Sequence, residues 1–220
     1  MTNKLEIKMI KAFGSSISEQ ILPDDLVKDF LADLKMIRAL PDKERENHLL
    51  APQFKHEVEA EYLITPKVLE KYNPFFNACV HGYCQLIYPN LKKLEKVYVD
   101  SAWYSVQKIN QINSLHHHSS YPAMQSKQFP QISCVGYLQI PKMSPPSPSS
   151  NHHNISGNIE FFEGSLNYFS SSSFKKIPWT KLLMIFPSHL AHWVYPFYSK
   201  DKNAERISFS ANIGVEYEYI

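Results

Sequence analysis

Ten histidines are spread over the 220-residue chain, and five of them fall where chemistry could be built: the triplet His116, His117 and His118, and the pair His189 and His192. His192 lies in LLMIFPSHLAHWVYP, where an apolar stretch ends at Phe186-Pro187, turns, and presents a histidine beside Trp193 and Val194. Fourteen residues further on, Arg206-Ile207-Ser208 puts an arginine and a serine on one face of an otherwise apolar strand. That combination has a chemical logic. A metal that activates dioxygen, iron(II) above all, needs three protein ligands on one face and open positions on the other. If a 2-oxo dicarboxylate chelates the open face, its distal carboxylate must be held some way off. A buried guanidinium with a hydroxyl beside it offers the matching donors. The order His-x-ligand, distant His, Arg-x-Ser is the order in this chain.

Strands must position these residues. After Leu94 the sequence KVYVDSAWYSVQKI alternates and is rich in β-branched and aromatic residues, and similar runs recur at 132–140, 158–162, 181–186 and 206–213. The spacing predicts an antiparallel β structure for this half. Its strands are separated by two Pro/Ser-containing loops, 142–157 and 166–176, long enough to line the mouth of a barrel. The first half reads as helical. Leu26, Val27, Phe30, Leu31, Leu34 and Ile37 recur at helical spacing behind Asp24 and Asp25, so residues 23–40 form an amphipathic helix. Thr65-Pro66 marks the start of another segment, interrupted at Pro74, after which Phe76, Cys79, Val80, Tyr83, Cys84 and Ile87 carry the apolar stripe. Two or three helices are expected here. The organisation is therefore one domain over residues 1–220, with 1–94 a helical lead-in and 95–220 the β core.

Composition excludes several classes. Twenty-three Lys+Arg against 21 Asp+Glu give a net charge of +2, which argues against an electrostatic footprint for nucleic acid or an anionic membrane. No apolar stretch approaches the ~20 residues needed for a membrane span. The opening MTNKLEIKMIK lacks a signal-peptide apolar region, so a cytoplasmic protein is expected. Cys79, Cys84 and Cys134 make no disulfide framework and no zinc spacing, and are read as buried thiols.

Between about residues 102 and 212, the blocks AWYSVQKINQINSLHHHSS, ISCVGYLQIP, GNIEFFEG, IFPSHLAHWVYP and RISFSANI follow one another in a recognisable order. In that order and approximate spacing the chain resembles the 2-oxoglutarate/Fe(II) oxygenases related to prolyl hydroxylases, a family often phage-encoded. The resemblance implies a mainly β, α+β fold: a double-stranded β-helix, the jelly-roll barrel also used by cupins, with N-terminal helices packed on one side. It places the first metal histidine on His116 and the distal one on His192. Arg206 falls on the arginine that binds the distal carboxylate of 2-oxoglutarate, with Ser208 beside it, and Tyr137 matches a tyrosine that reaches the same carboxylate. Most members carry His-x-Asp or His-x-Glu, but the only acids between residues 101 and 200 are Glu160 and Glu163. His118 stands two residues after His116, and relatives with His-x-His make the metal set His116, His118 and His192, with His117 facing the other way. Glu160 stays open as a carboxylate ligand or as a partner that orients a histidine.

The activity so implied is that of an Fe(II)- and 2-oxoglutarate-dependent dioxygenase. It would hydroxylate a prime substrate with O2 while 2-oxoglutarate becomes succinate and CO2, and His116, His118, His192 and Arg206 would carry the reaction. Two alternatives keep the metal: a three-histidine cupin-type dioxygenase whose substrate itself chelates, and a non-catalytic metal-binding cupin-like module. Arg206 with Ser208 favours the first reading, since a structural metal needs no carboxylate clamp. The other notable residues have simpler readings: His189 as an exposed turn residue, His152 and His153 in a solvated loop, and His81 as a core or interface histidine. Trp103, Trp179 and Trp193 are read as core or rim, with Trp193 a candidate wall of the pocket. The C-terminal VEYEYI offers a sheet edge to a second copy, which would make a homo-oligomer.

Overall fold

The computed structural model describes residues 7–11, 14–49, 58–87, 91–118, 131–144, 155–164 and 171–219. It is mostly β, in two antiparallel sheets. The larger has seven strands in the order β1-β2-β9-β6-β11-β4-β3, formed by Lys8–Lys11, Ser16–Ile21, Leu182–Pro187, Ile132–Gln139, Glu205–Tyr219, Leu91–Lys108 and Ala60–Leu63. The smaller has four, β5-β10-β7-β8, from Asn113–His116, Ala191–Val194, Ile159–Phe162 and Ser173–Lys176. The helices are α1 (Asp24–Arg38), the short α2 (Asp42–Arg45) and α3 (Pro66–Ile87).

Alternation along β11 divides the molecule. Ile207, Phe209, Ala211 and Ile213 face a core shared with Leu26, Phe30, Leu34 and Ile37 of α1 and Phe76, Cys79, Val80 and Tyr83 of α3. Phe30 sits at the centre of that core, its ring 5.0 Å from Phe209, 5.7 Å from Tyr72 and 5.9 Å from Tyr104. Burying such a ring contributes about 2–3 kcal/mol, and Phe30→Ala would cost about 3–5 kcal/mol through the cavity it leaves. The opposite face of β11 presents Arg206, Ser208 and Ser210, and there the two sheets meet around a second core that includes Val135, Tyr137, Ile159, Phe161, Met184 and Phe186. A buried Asp33 ties the helices to the sheet by accepting from Thr65 Oγ1 at 2.6 Å and Tyr104 Oη at 2.9 Å.

Three expectations change. Pro74 does not interrupt the second helix: α3 runs unbroken for 22 residues. The proline is exposed, while Tyr72 and Phe76 on either side of it are buried. A proline on the solvent side follows the usual curvature of a packed helix, and the buried flanks hold the two halves in line. The first half is not only helical either, since β1, β2 and β3 all join the larger sheet. In β2, Ser18, Glu19 and Gln20 are buried, a polar composition that hides a strand, and Glu19 is matched by Lys176 at 2.6 Å. Finally, Ser173–Lys176, assigned to a loop, is strand β8. Residues 145–154 and 166–170 of the two expected loops lie outside the described residues, as do His152 and His153. The three cysteines are free and buried. Among the described residues no helix is long and apolar enough to cross a membrane.

Candidate active site

Pairing of β10 with β5 sets His192 directly across from His116. The chain leaving β5 is pinned where His118 N–H donates to the Ser188 carbonyl at 2.8 Å, in the turn that precedes β10. Local geometry thus returns His118 to the other two imidazoles. One ligand atom from each of His116, His118 and His192 lies within 4.8 Å of the others. The ring centroids are 4.3 Å apart for His116 and His192, 5.1 Å for His116 and His118, and 5.2 Å for His118 and His192.

The tautomers follow from hydrogen bonding. Nδ1 of His192 lies 2.9 Å from the Leu190 carbonyl and Nδ1 of His116 lies 2.6 Å from the Ser114 carbonyl. A carbonyl only accepts, so each Nδ1 carries its proton, and the atom through which these two rings could hold a metal is Nε2. Burial among Phe161, Phe186 and the neighbouring imidazoles holds His192 well below the usual histidine range. Burial, helped by His116 and His117, pulls His118 down to about 3. Both are therefore neutral bases at physiological pH, the form that binds a metal.

These imidazoles line a cavity of about 330 Å³. Its wall comes from alternating residues of three neighbouring strands: Trp103, Ser105 and Gln107 of β4, Val135 and Tyr137 of β6, and Ser208 and Ser210 of β11. Register places Ser208 between Ser105 on one side and Tyr137 on the other. Tyr137 Oη, Ser105 Oγ and Gln107 Nε2 are buried without a hydrogen-bond partner among the described residues. Burial pushes the Tyr137 hydroxyl up to about 12, so it stays a donor.

Arg206 is fully buried, its guanidinium 5.7 Å from the Phe197 ring. Nε donates to Gln107 Oε1 at 2.9 Å, Nη2 donates to the same oxygen, and Nη1 donates to the Gly157 carbonyl at 2.8 Å. No carboxylate pairs with it among the described residues, and burial pulls it down to about 10. A buried cation held only by neutral acceptors is costly, so the site is built for an arriving anion. Arg206 does not itself line the cavity; Gln107 does.

Glu160 is excluded from the imidazole cluster. It pairs across the sheet with Trp193, whereas Phe161 pairs with His192, so Glu160 occupies the other face of the strand. There it accepts from Tyr195 Oη and forms an ion pair with Lys175 at 3.4 Å. Trp193 follows it to that face, packing on Phe162 and Tyr195, and Trp103 walls the cavity instead, 5.6 Å from the His118 ring. Glu163 accepts from Ser15 N–H and Oγ at 2.8 Å, away from the histidines. His189 is exposed, as expected; His81 is exposed as well, which removes the core reading of that residue. His117 is exposed yet still borders the cavity.

The residues present fit a mononuclear metal and a dicarboxylate. Three imidazole nitrogens converge from two strands and a turn, and the hydroxyls and amide left without partners among the described residues beside a buried guanidinium suit carboxylate oxygens. No protein-family model matches the chain, and no curated protein matches it. Solved structures do. A Pseudomonas putida prolyl-4-hydroxylase aligns with a TM-score of 0.56 at 17% identity, covering 90% of this chain and 91% of its own. The viral collagen prolyl hydroxylase of Paramecium bursaria Chlorella virus 1, solved as its 2-oxoglutarate complex, aligns at 0.53 and 13%, covering 94% of each chain. HygX from Streptomyces hygroscopicus, solved with nickel, 2-oxoglutarate and hygromycin B bound, aligns at 0.57 and 11%, covering 93% of this chain and 84% of its own. The chain shares the fold of these proteins over nearly its whole length.

Proposed function

We propose that this protein is an Fe(II)- and 2-oxoglutarate-dependent oxygenase, most simply a hydroxylase, built as one domain whose two sheets form a double-stranded β-helix. The observation that carries the reading is a buried Arg206 without an acidic partner among the described residues, beside a cavity lined by three converging imidazoles. The fold shared with enzymes solved with 2-oxoglutarate bound supports it.

His116, His118 and His192 would hold the metal through three nitrogens. The Leu190 and Ser114 carbonyls fix two of the rings and raise the basicity of their Nε2 atoms. Tyr137, Ser208 and Arg206 would favour the distal carboxylate of 2-oxoglutarate, the first two from the cavity wall and the last from behind it. Phe161, Phe186 and Trp103 keep water from the imidazoles. When bound, iron and 2-oxoglutarate supply the oxidising power, giving succinate and CO2 as O2 is consumed. Because the protein ligands are all neutral, the site is one charge more positive than a two-histidine, one-carboxylate set, and a dianionic chelator compensates that charge.

Anaerobic titration of the apo-protein with Fe(II) and then 2-oxoglutarate tests this directly. A visible charge-transfer band in the wild type, absent in His192→Ala and Arg206→Ala, is the expected result. Iron binding without the band would overturn it in favour of a three-histidine dioxygenase whose substrate itself chelates. One observation favours that second reading: Gln107 already occupies two of the Arg206 donors.

A further inference from the structure

Gln107 stands between the only buried guanidinium among the described residues and the cavity. The residue is 3% exposed, it lines the cavity, and Arg206 is its direct partner across the β4–β11 ladder. An arginine offers donors and nothing else, so the carboxamide must turn its oxygen to Nε and Nη2. That orientation leaves Nε2, the donor end, on the side away from the arginine, and there it has no partner among the described residues. Tyr137 Oη and Ser105 Oγ, also buried on this wall, share the same want of an acceptor. Three buried donors without acceptors among the described residues, on the two strands that flank β11 in one wall, describe a pocket for a group rich in acceptor oxygens.

We propose that Gln107 is a direct recognition residue for the distal carboxylate of the 2-oxo dicarboxylate, donating from Nε2 with Tyr137 and Ser105, while Arg206 acts through it. This rests on the function proposed above and deepens it. Arg206 fixes the carboxamide orientation and polarises its carbonyl, strengthening the amide as a donor. The arginine is then a positioning residue, its charge felt across one side chain rather than by contact. The competing account makes Gln107 a placeholder that swings aside so that the carboxylate meets the guanidinium.

The two accounts predict opposite signs for Gln107→Leu. A donor that is lost weakens 2-oxoglutarate about ten- to a hundredfold, whereas removing a placeholder leaves affinity unchanged or improves it. Isothermal titration of the Zn(II)-loaded protein reads the difference. Zn(II) affinity and the affinity for 2-oxopentanoate, which lacks the distal carboxylate, are expected to stay at wild-type values. Equal or tighter 2-oxoglutarate binding by the variant overturns the proposal. Should the leucine variant fail to fold, the Gln107 side-chain amide of the Zn(II)-loaded wild type is followed by 15N NMR. Downfield movement and slowed hydrogen exchange on adding 2-oxoglutarate are expected, and faster exchange overturns the proposal. If the wild type shows no 2-oxoglutarate binding by either method, the proposed function falls and this assignment with it.

Discussion

His192 faces His116 across the β10–β5 pair with their ring centroids 4.3 Å apart. Cross-strand neighbours hold their separation through the sheet itself, so these two imidazoles are preorganised by backbone pairing. His118 lies beyond the end of β5, outside the strand pairing, where its N–H donates to the Ser188 carbonyl. The three imidazoles are therefore unequal in how rigidly they are held.

That inequality gives the first prediction. His192→Ala is expected to lower metal affinity by more than the hundredfold typical of losing a residue that merely orients a ligand. His118→Asp keeps a donor at the more adaptable position and is expected to retain metal binding. Titration with Mn(II) or Zn(II) checks both, and retention of full affinity by His192→Ala would show that the cluster is not a metal site.

Gly157 carries φ of +69°, and its carbonyl accepts from Arg206. A Cβ there would come within 2.5 Å of Met143 Sδ and 3.3 Å of Arg206 Nη1. Gly157→Ala combines a left-handed backbone penalty with a displaced guanidinium, so a loss of about 1–3 kcal/mol in stability is expected. Weaker 2-oxoglutarate binding should accompany it. Chemical denaturation and ligand titration measure the two effects separately.

Burial pushes the thiols of Cys79 and Cys134 up to about 12 and that of Cys84 up to about 11. At pH 8 such thiols hold about 0.1% thiolate or less, and the thiolate is the reactive species. An aromatic disulfide reagent is expected to find no reactive cysteine in the native protein and three after denaturation. Rapid native labelling would contradict the packing of α3 against the larger sheet.

Arg38 reaches Glu205 with two bonds of 2.8 and 2.9 Å, joining α1 to the start of β11. The guanidinium holds the Glu205 carboxyl below its ordinary 4.5. Its stabilisation is thus present above pH 4.5 and is lost as pH falls through the lowered value. Since the pair is largely solvent-screened, Glu205→Gln is expected to cost a few tenths to about 1 kcal/mol at pH 7. Melting curves of the two proteins should converge in acid.

Much of the site was legible because its residues are chemically conspicuous. Histidines at 116, 118 and 192 and an arginine two before a serine stand out in apolar surroundings, and period-two alternation already puts Arg206 and Ser208 on one face. Gln107 was not legible. Its importance comes from β4–β11 register, which joins positions 99 residues apart, and a lone glutamine in a strand carries no such signal. Glu160 could be dismissed only once β7 was paired with β10, since its own strand leaves either face open. The buried polar run in β2 defeated pattern reading because its partners, among them Lys176, come from the far end of the chain. At Pro74 a local rule yielded to packing on both sides.

The alternation along β11 has an evolutionary meaning. Successive residues of one strand answer to separate demands, since Ile207, Phe209 and Ala211 belong to the helix-packed core while Arg206, Ser208 and Ser210 stand on the cavity side. A substitution at 210 can reshape the cavity wall without touching the helix-packed core, and one at 209 can damage that core without touching the wall. New cavity shapes can therefore arise along this strand one residue at a time, each step leaving a folded ancestor behind it.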